Sequence, residues 1–343
     1  MMRAEPNRTQ SASVSAVHAL HLAEMVKRWG VAPAELLASE ALNEDALAEP
    51  DARLPVPTLV ALIEKARALT GEPALGVHLG LQMRVSVHGY LGFAAMTAPT
   101  LGDALQLAVR FAPMRSDATA LRLHVEPPAA ALVIDELTDF GPARDAVLLA
   151  LMIGLHQIGN AITGRELDGR ADFAFPEPDY WGHVAASVQN ARFGQPVNQL
   201  VFDASLLALP LTTADRASLR LAQEQCERGL GARAREGQLV ARVRAVLAKK
   251  DGGTRSLEEA AKLLHMSPRT LKRKLASHGA TYSSLAEDER RERALLLLRS
   301  SELSLEEVAE RSGYSDVANF TRAFRRWTGQ TPTSYRRARA RDA

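Results

Sequence analysis

The stretch Leu303–Arg336, LSLEEVAERSGYSDVANFTRAFRRWTGQTPTSYR, decides how the rest of the chain is read. Apolar Leu305, Val308 and Ala309 recur at the i, i+3, i+4 spacing of a short core-facing helix. Gly313 supplies the backbone freedom of a tight turn, and Ser315 or Asp316 stands where a side-chain oxygen caps the next helix. Phe320, Ala323, Phe324 and Trp327 form the buried stripe of that second helix. Val317, Ala318, Thr321, Arg322 and Arg325 are left facing outward, with Arg326 beside them, and the Gly329–Pro332 region reads as a stop.

The scheme recurs upstream. In Ser256–Leu275, SLEEAAKLLHMSPRTLKRKL, Ser256 and Glu259 make a capping box, and Leu257, Ala260, Ala261 and Leu264 face inward. A turn at His265-Met266 leads to a second helix starting at Ser267-Pro268, since proline is tolerated at the first helical position. Leu271 and Leu275 point inward, and Arg269, Lys272, Arg273 and Lys274 point outward. One such unit is as easily a solvated basic helix of an ordinary bundle. Two with the same internal order, each presenting a basic second helix, match the shape that enters a DNA major groove. The run Tyr282–Arg299 between them is helical, and about eighteen residues at ~1.5 Å rise span roughly 27 Å. A rod of that length can hold two recognition helices for successive grooves, about 34 Å apart on one face of the duplex.

From Gln238 to Arg337 the chain resembles the DNA-binding domain of AraC/XylS transcriptional regulators. The resemblance rests on the order Glu-Val-Ala, Ser-Gly-Tyr-Ser-Asp, Asn-Phe-Thr-Arg-Ala-Phe-Arg-Arg-Trp-Thr-Gly and Thr-Pro-Thr-Ser-Tyr-Arg. It implies an all-α domain of two helix-turn-helix units joined by a long helix. It also implies base contacts from Arg269, Lys272 and Arg273 and from Val317, Ala318, Thr321 and Arg322, with Arg325 alongside. Val317 and Ala318 offer a base no more than contact with a thymine methyl.

Charge separates the chain independently. From Glu236 to the end there are 22 Lys/Arg and 14 Asp/Glu, a net of +8; positions 1–235 hold 20 and 26, a net of −6. The overall +2 conceals a basic part suited to phosphate and an acidic part that stays off it. A length of 343 residues fits two domains and a linker. The single cysteine, Cys226, excludes a disulfide framework and a Cys-rich metal site. No secretory signal is expected, since Met1–Ser15 is polar and lacks an apolar core. The longest apolar run, Ala146–Leu155, is short for a bilayer and reads as a buried helix. A cytoplasmic, nucleoid-associated bacterial protein is expected, with no membrane partner.

The first part reads as α+β, helix-rich with a small sheet. Helices are expected near 14–29, 33–41, 56–70, 73–82, 86–97, 101–113 and 142–163. A hairpin is expected from Leu121–Glu126 and Ala131–Glu136 about Pro127-Pro128, with short strands near 172–175 and 200–202. Residues 1–13 and 338–343 read as tails, 14–211 as one domain and 238–337 as the other. Between them, 212–237 reads as a linker broken by Gly229, Gly231 and Gly237. The phrases Pro73–Gly80 (PALGVHLG), His88–Gly92 (HGYLG) and Ala98–Leu105 (APTLGDAL) resemble the arabinose-binding-type N-terminal domain of one AraC subgroup. That subgroup includes ornithine-utilisation and mycobacterial virulence regulators. The resemblance implies sensing of a small-molecule effector and a homodimer, and names no ligand.

Catalytic signatures are missing: no GxGxxG, GxxxxGK, GxSxG or HExxH occurs. His18 and His21 form an i, i+3 pair with no third ligand nearby in sequence, so neither a metal nor a cofactor is expected. His88 and Tyr90, in a Gly-flanked turn, are candidates to line an effector pocket together with the apolar face of the 142–163 helix, although a structural turn is the commoner role. The expected function is a ligand-responsive transcription factor acting on promoter DNA and RNA polymerase, activating rather than repressing. The competing readings are an effector-free architectural DNA binder and a repair enzyme fused to such a domain. The latter requires a reactive cysteine in the first part.

Overall fold

The computed structural model of the chain describes residues 12–49, 52–188, 190–247, 255–276, 280–300 and 303–342. Contacts divide it into two compact units, Met1–Ala232 and Arg233–Ala343.

The first unit begins with β1 (Ser13–Ser15), α1 (Val17–Val26), α2 (Pro33–Ala38), α3 (Glu44–Ala48), β2 (Arg53–Pro55) and α4 (Val56–Thr70). The expected 1–13 tail and the helix from 14 are thus corrected at their junction: residues 1–11 lie outside the described residues, and Ser13–Ser15 pairs antiparallel with Arg53–Pro55. Arg53 holds that pair by donating to the carbonyl and hydroxyl oxygens of Ser13. A three-residue strand whose partner lies 40 residues away has no local periodicity to betray it.

Next come α5 (Leu75–Leu81), α6 (Gly89–Thr97) and α7 (Leu101–Phe111). The hairpin follows as β3 (Thr119–Glu126) and β4 (Ala129–Glu136), then α8 (Arg144–Thr163), β5 (Arg170–Asp172), α9 (Trp181–Val184), β6 (Ala191–Arg192) and β7 (Asn198–Asp203). The sheet order is β3-β4-β7-β5-β6, antiparallel except for β5 with β6. The β3–β4 register sets Leu121 opposite Ile134 and Leu123 opposite Leu132. On this sheet α8 contributes Leu148, Leu149, Met152 and Ile153 to a core shared with Ile134, Phe173, Phe175 and Trp181. The segment Gly141–Thr163 is long and apolar enough to cross a membrane, yet half of its apolar window is buried inside this unit.

The glycines of the PALGVHLG phrase explain how α5 reaches α8. A Cβ at Gly76 would lie 2.4 Å from the Ala146 carbonyl oxygen, and one at Gly80 2.7 Å from the Ile153 Cβ. Two glycines four residues apart therefore form a flat face on which α8 lies at backbone distance.

One helix, α10 (Arg216–Leu247), replaces the expected glycine-broken linker. A mid-helix glycine costs only about 1 kcal/mol against alanine, and core burial offsets it. Leu219, Ala222, Cys226 and Leu230 pack in the first unit's core, while Leu239, Val240, Val243 and Leu247 pack in the second's. Cys226 is correspondingly a buried core residue and not a linker thiol.

The second unit continues with α11 (Leu257–Leu263), α12 (Pro268–Ala276), α13 (Tyr282–Ser300), α14 (Leu305–Arg311), α15 (Val317–Thr328) and α16 (Pro332–Asp342). Its last helix corrects the expected stop and tail. Pro332 starts a helix because Thr331 caps it, accepting from the Ser334 amide at 3.2 Å. Tyr335 then packs edge-on to Phe324, ring centroids 5.5 Å apart.

Candidate nucleic-acid interface

Each helix pair is assembled from local signals. Ser256 accepts from the Glu259 amide, and Glu259 returns the bond to the Ser256 amide, closing a capping box at the start of α11. Ser304 and Glu307 repeat it, with the same distances, at the start of α14. Each turn then passes through one left-handed residue, His265 at φ 55° and Gly313 at φ 83°. The next amide, of Met266 or Tyr314, closes on the carbonyl of Ala261 or Ala309, both at 2.9 Å. Ser267 caps α12 by accepting from Thr270 at 3.1 Å, and Asp316 caps α15 by accepting from Asn319 at 2.7 Å.

The two helix pairs therefore align residue for residue, with one extra residue in the second turn. Arg273 corresponds to Arg322, Lys272 to Thr321, Arg269 to Ala318, and core Leu271 and Leu275 to Phe320 and Phe324. The repeat is thus in backbone geometry as well as in order.

Helix α13 carries both pairs. Leu285 and Ala286 near its start join the core of the first pair, with Leu264, Leu271 and Leu275. Ala294 and Leu298 near its end join the core of the second, with Val308, Phe320 and Phe324. At its start, Tyr282 donates to the carbonyls of Arg255 and Ser256, at 2.8 and 3.0 Å. Glu287 fastens α15 by accepting from the Trp327 indole at 2.9 Å and pairing with Arg326. Those two bonds, the indole's first, hold the Glu287 carboxyl below its ordinary range. Trp327 is accordingly half-buried and not a full core residue.

On the outer faces, Arg269, Lys272, Arg273 and Lys274 of α12 are exposed, as are Ala318, Arg322, Arg325 and Arg326 of α15. Thr321 is half-buried. Val317 departs from the outward reading: it is half-buried and packs against the second pair's core. Arg322 donates to the Asn319 side chain at 2.6 Å, which in turn bonds the cap Asp316, so the first turn of α15 presents a preformed polar edge. Beside it lies a groove of about 860 Å³ whose lining includes Arg255, Arg290, Arg322, Arg326, Tyr282 and Tyr314. Nothing local in the sequence marks Arg255 and Arg290 for this groove; their place in its lining depends on how α13 packs.

In the first unit the paired candidates His88 and Tyr90 separate. Gly89, at φ 56°, turns the chain between them. Tyr90 is 58% exposed, whereas the His88 ring faces inward toward His18, centroids 6.2 Å apart. His18 does have a further histidine neighbour, one remote in sequence, but among the described residues no three His, Cys, Asp or Glu side chains are placed to hold a metal ion. Cys226 is enclosed, and burial pushes its thiol up to about 11, so it supplies no nucleophile of the kind a repair enzyme needs.

Residues 30–211 match the family described as the arabinose-binding domain of AraC transcription regulators, N-terminal, and residues 260–338 match a helix-turn-helix domain family. The chain belongs to the AraC family of transcription regulators. It is a helix-turn-helix DNA-binding regulator with an N-terminal domain of the ligand-binding type, and not an enzyme. Among its relatives is the ornithine utilization regulator of Pseudomonas aeruginosa, 35% identical over 327 residues, covering 95% of this chain and 96% of that one. An uncharacterised HTH-type transcriptional regulator of Mycobacterium tuberculosis is 28% identical over 334 residues, 92% and 94% of the two chains. Of solved structures, the transcriptional regulator CdpR from Pseudomonas aeruginosa aligns over 92% of this chain and 97% of its own, at 24% identity and a TM-score of 0.43.

Proposed function

We propose that this AraC-family chain is an effector-responsive activator whose two helix-turn-helix units enter successive major grooves of one promoter site. The observation that carries the reading is the geometric repeat: two identically capped helix pairs, each with an exposed basic helix, built on opposite ends of α13. Its 19 residues span about 28 Å, close to the groove repeat of about 34 Å. Arg269, Lys272 and Arg273 of α12 read base edges, arginine through the two-point contact that guanine accepts. On α15, Arg322 reads bases, Ala318 and Thr321 make close contacts, and Arg325 engages phosphate. Val317 supports the helix from beneath. With one recognition arginine against two, the second helix pair adds more positioning than specificity.

The first unit binds a small-molecule effector and joins two chains in a homodimer, and the bound protein recruits RNA polymerase. The effector acts by favouring one of two protein states. The test begins with selection of a binding site from random DNA, followed by hydroxyl-radical footprinting and transcription from that site. The expected footprint is two protected patches per chain, one helical turn apart, with transcription rising on addition of one member of a metabolite set that includes ornithine. A single patch per chain would refute the two-groove reading, and transcription indifferent to every metabolite would refute the effector reading.

A further inference from the structure

Three histidines and an arginine meet inside the first unit. Arg115 follows the 3-10 turn Ala112–Met114 at the end of α7; its guanidinium is half-buried and donates to the Val87 carbonyl at 3.3 Å. Its Nε is buried without a hydrogen-bond partner. His88, at the entry to α6, buries its Nε2 with no partner either. His18 and His21 reach in from α1 and remain half-buried, so solvent touches the cluster from that side. The nearest acid along the chain, Asp117, is already engaged by Arg53 and Ser13. Arg84, exposed, adds further positive charge near His21.

The physical difficulty is specific. Burial and neighbouring cations hold the imidazoles of His18, His21 and His88 below their usual range, so they escape the cost by staying neutral. Arginine has no such escape, because its guanidinium does not lose its proton in proteins. The site thus carries one permanent charge with no carboxylate opposite it among the described residues, plus two orphaned polar nitrogens. Buried groups in that condition are rare and costly. An anion with two acceptor oxygens is the kind of group that answers such a charge and such donors.

We propose that His18, His21, His88 and Arg115 form an anion site that takes the carboxylate of a small-molecule effector. This rests on the reading of the first unit as an effector domain and gives that effector its chemical class. Arg115 supplies the fork, His88 a charged donor once the anion is present, and His18 and His21 the entrance. Met114, adjacent to Arg115, lies so close to α10 that a Cβ at Gly229 would be 2.5 Å from its Cε. A ligand gripped by Arg115 therefore bears on the residue that packs on α10.

The experiment uses the full chain in chloride buffer at constant ionic strength, with 20 mM sodium benzoate or sodium phosphate exchanged for chloride. Thermal melting and NMR titration of the histidine ring protons are read at pH 6 and pH 8. Wild type should melt at least about 2 °C higher with benzoate at pH 6, with a smaller gain at pH 8, and the His88 pKa should rise by about one unit or more. Arg115→Gln should lose both effects. His88→Gln, which keeps a donor and an acceptor without a charge, should lose most of the melting gain; it serves if Arg115→Gln does not fold. A response to phosphate equal to or above that to benzoate would overturn the carboxylate assignment in favour of a phosphoryl group. Absence of any anion effect, or an equal effect in both variants, would overturn the site. DNA binding is measured on the same samples: intact specific binding with no anion effect removes this proposal and leaves the regulator reading standing, whereas wild type that binds no DNA sequence specifically would remove the latter.

Discussion

The His88 imidazole makes the first unit acid-sensitive by an amount that follows from its surroundings. Burial first, then the Arg115 and His21 charges, lower its pKa from 6.5 to about 4. In the unfolded chain the ring takes up a proton as pH falls through about 6.5, whereas the folded ring resists until about 4. The stability it confers is thus fully present above the unfolded value and is lost on acidification through the window down to the folded one. Between pH 7 and pH 5 linkage removes about 2 kcal/mol for this group alone. His18 and His21, lowered by the same causes, act in the same direction.

The measurement is urea unfolding in a Trp327→Phe background, so that fluorescence comes only from Trp29 and Trp181 of the first unit. Buffers must be free of carboxylates, since an anion at Arg115 would mask the effect. Replacing His88 by Leu should leave the pH 7 to pH 5 loss smaller than that of the parent by about 2 kcal/mol, whatever the substitution does to stability at pH 7. The difference of differences isolates the titrating group from its packing. Equal pH dependence in the two proteins would mean that His88 titrates normally when folded, and the account of imidazoles held neutral beside Arg115 would fail.

Other expectations concern the two units separately. Gly76→Ala drives a methyl into the Ala146 backbone, so the α5–α8 contact should open at a cost of about 1–3 kcal/mol, read as a lowered melt of the first unit with specific DNA affinity in the effector-free protein unchanged. Phe324→Ala removes a fully buried ring and should cost roughly 3–5 kcal/mol and abolish DNA binding; an unchanged circular dichroism melt would contradict the packing. Arg269→Ala or Arg273→Ala should weaken the selected site by about 1–3 kcal/mol and random DNA much less, whereas equal losses on both would assign these arginines to phosphate.

What was legible in the sequence follows the range of the forces involved. The second unit is governed by interactions three or four residues long, so its capping boxes, turn residues and apolar stripes could be read directly. Even there, the Thr331-Pro332 start of α16 carries the same signal as Ser267-Pro268, yet a proline following Gly329 equally reads as a stop. In α10, three glycines argue locally for a break, yet apolar side chains at either end bury enough surface to keep the helix continuous.

The first unit is harder because its decisive pairings are remote. Nothing near Ser13 announces Arg53, and nothing near His18 announces His88 seventy residues on. Proximity in sequence instead couples His88 with Tyr90, of which one faces His18 and the other is exposed. The Gly-rich phrases marking this domain type were legible as a resemblance before they were legible as physics. Only when Gly76 and Gly80 are seen against α8 does their spacing become a packing requirement. A binding site assembled from α1, the entry to α6 and the end of α7 belongs to the same class of information. Each of its side chains looks unremarkable in its own segment, and an uncompensated Arg115 charge beside neutral imidazoles exists only where the fold brings them together.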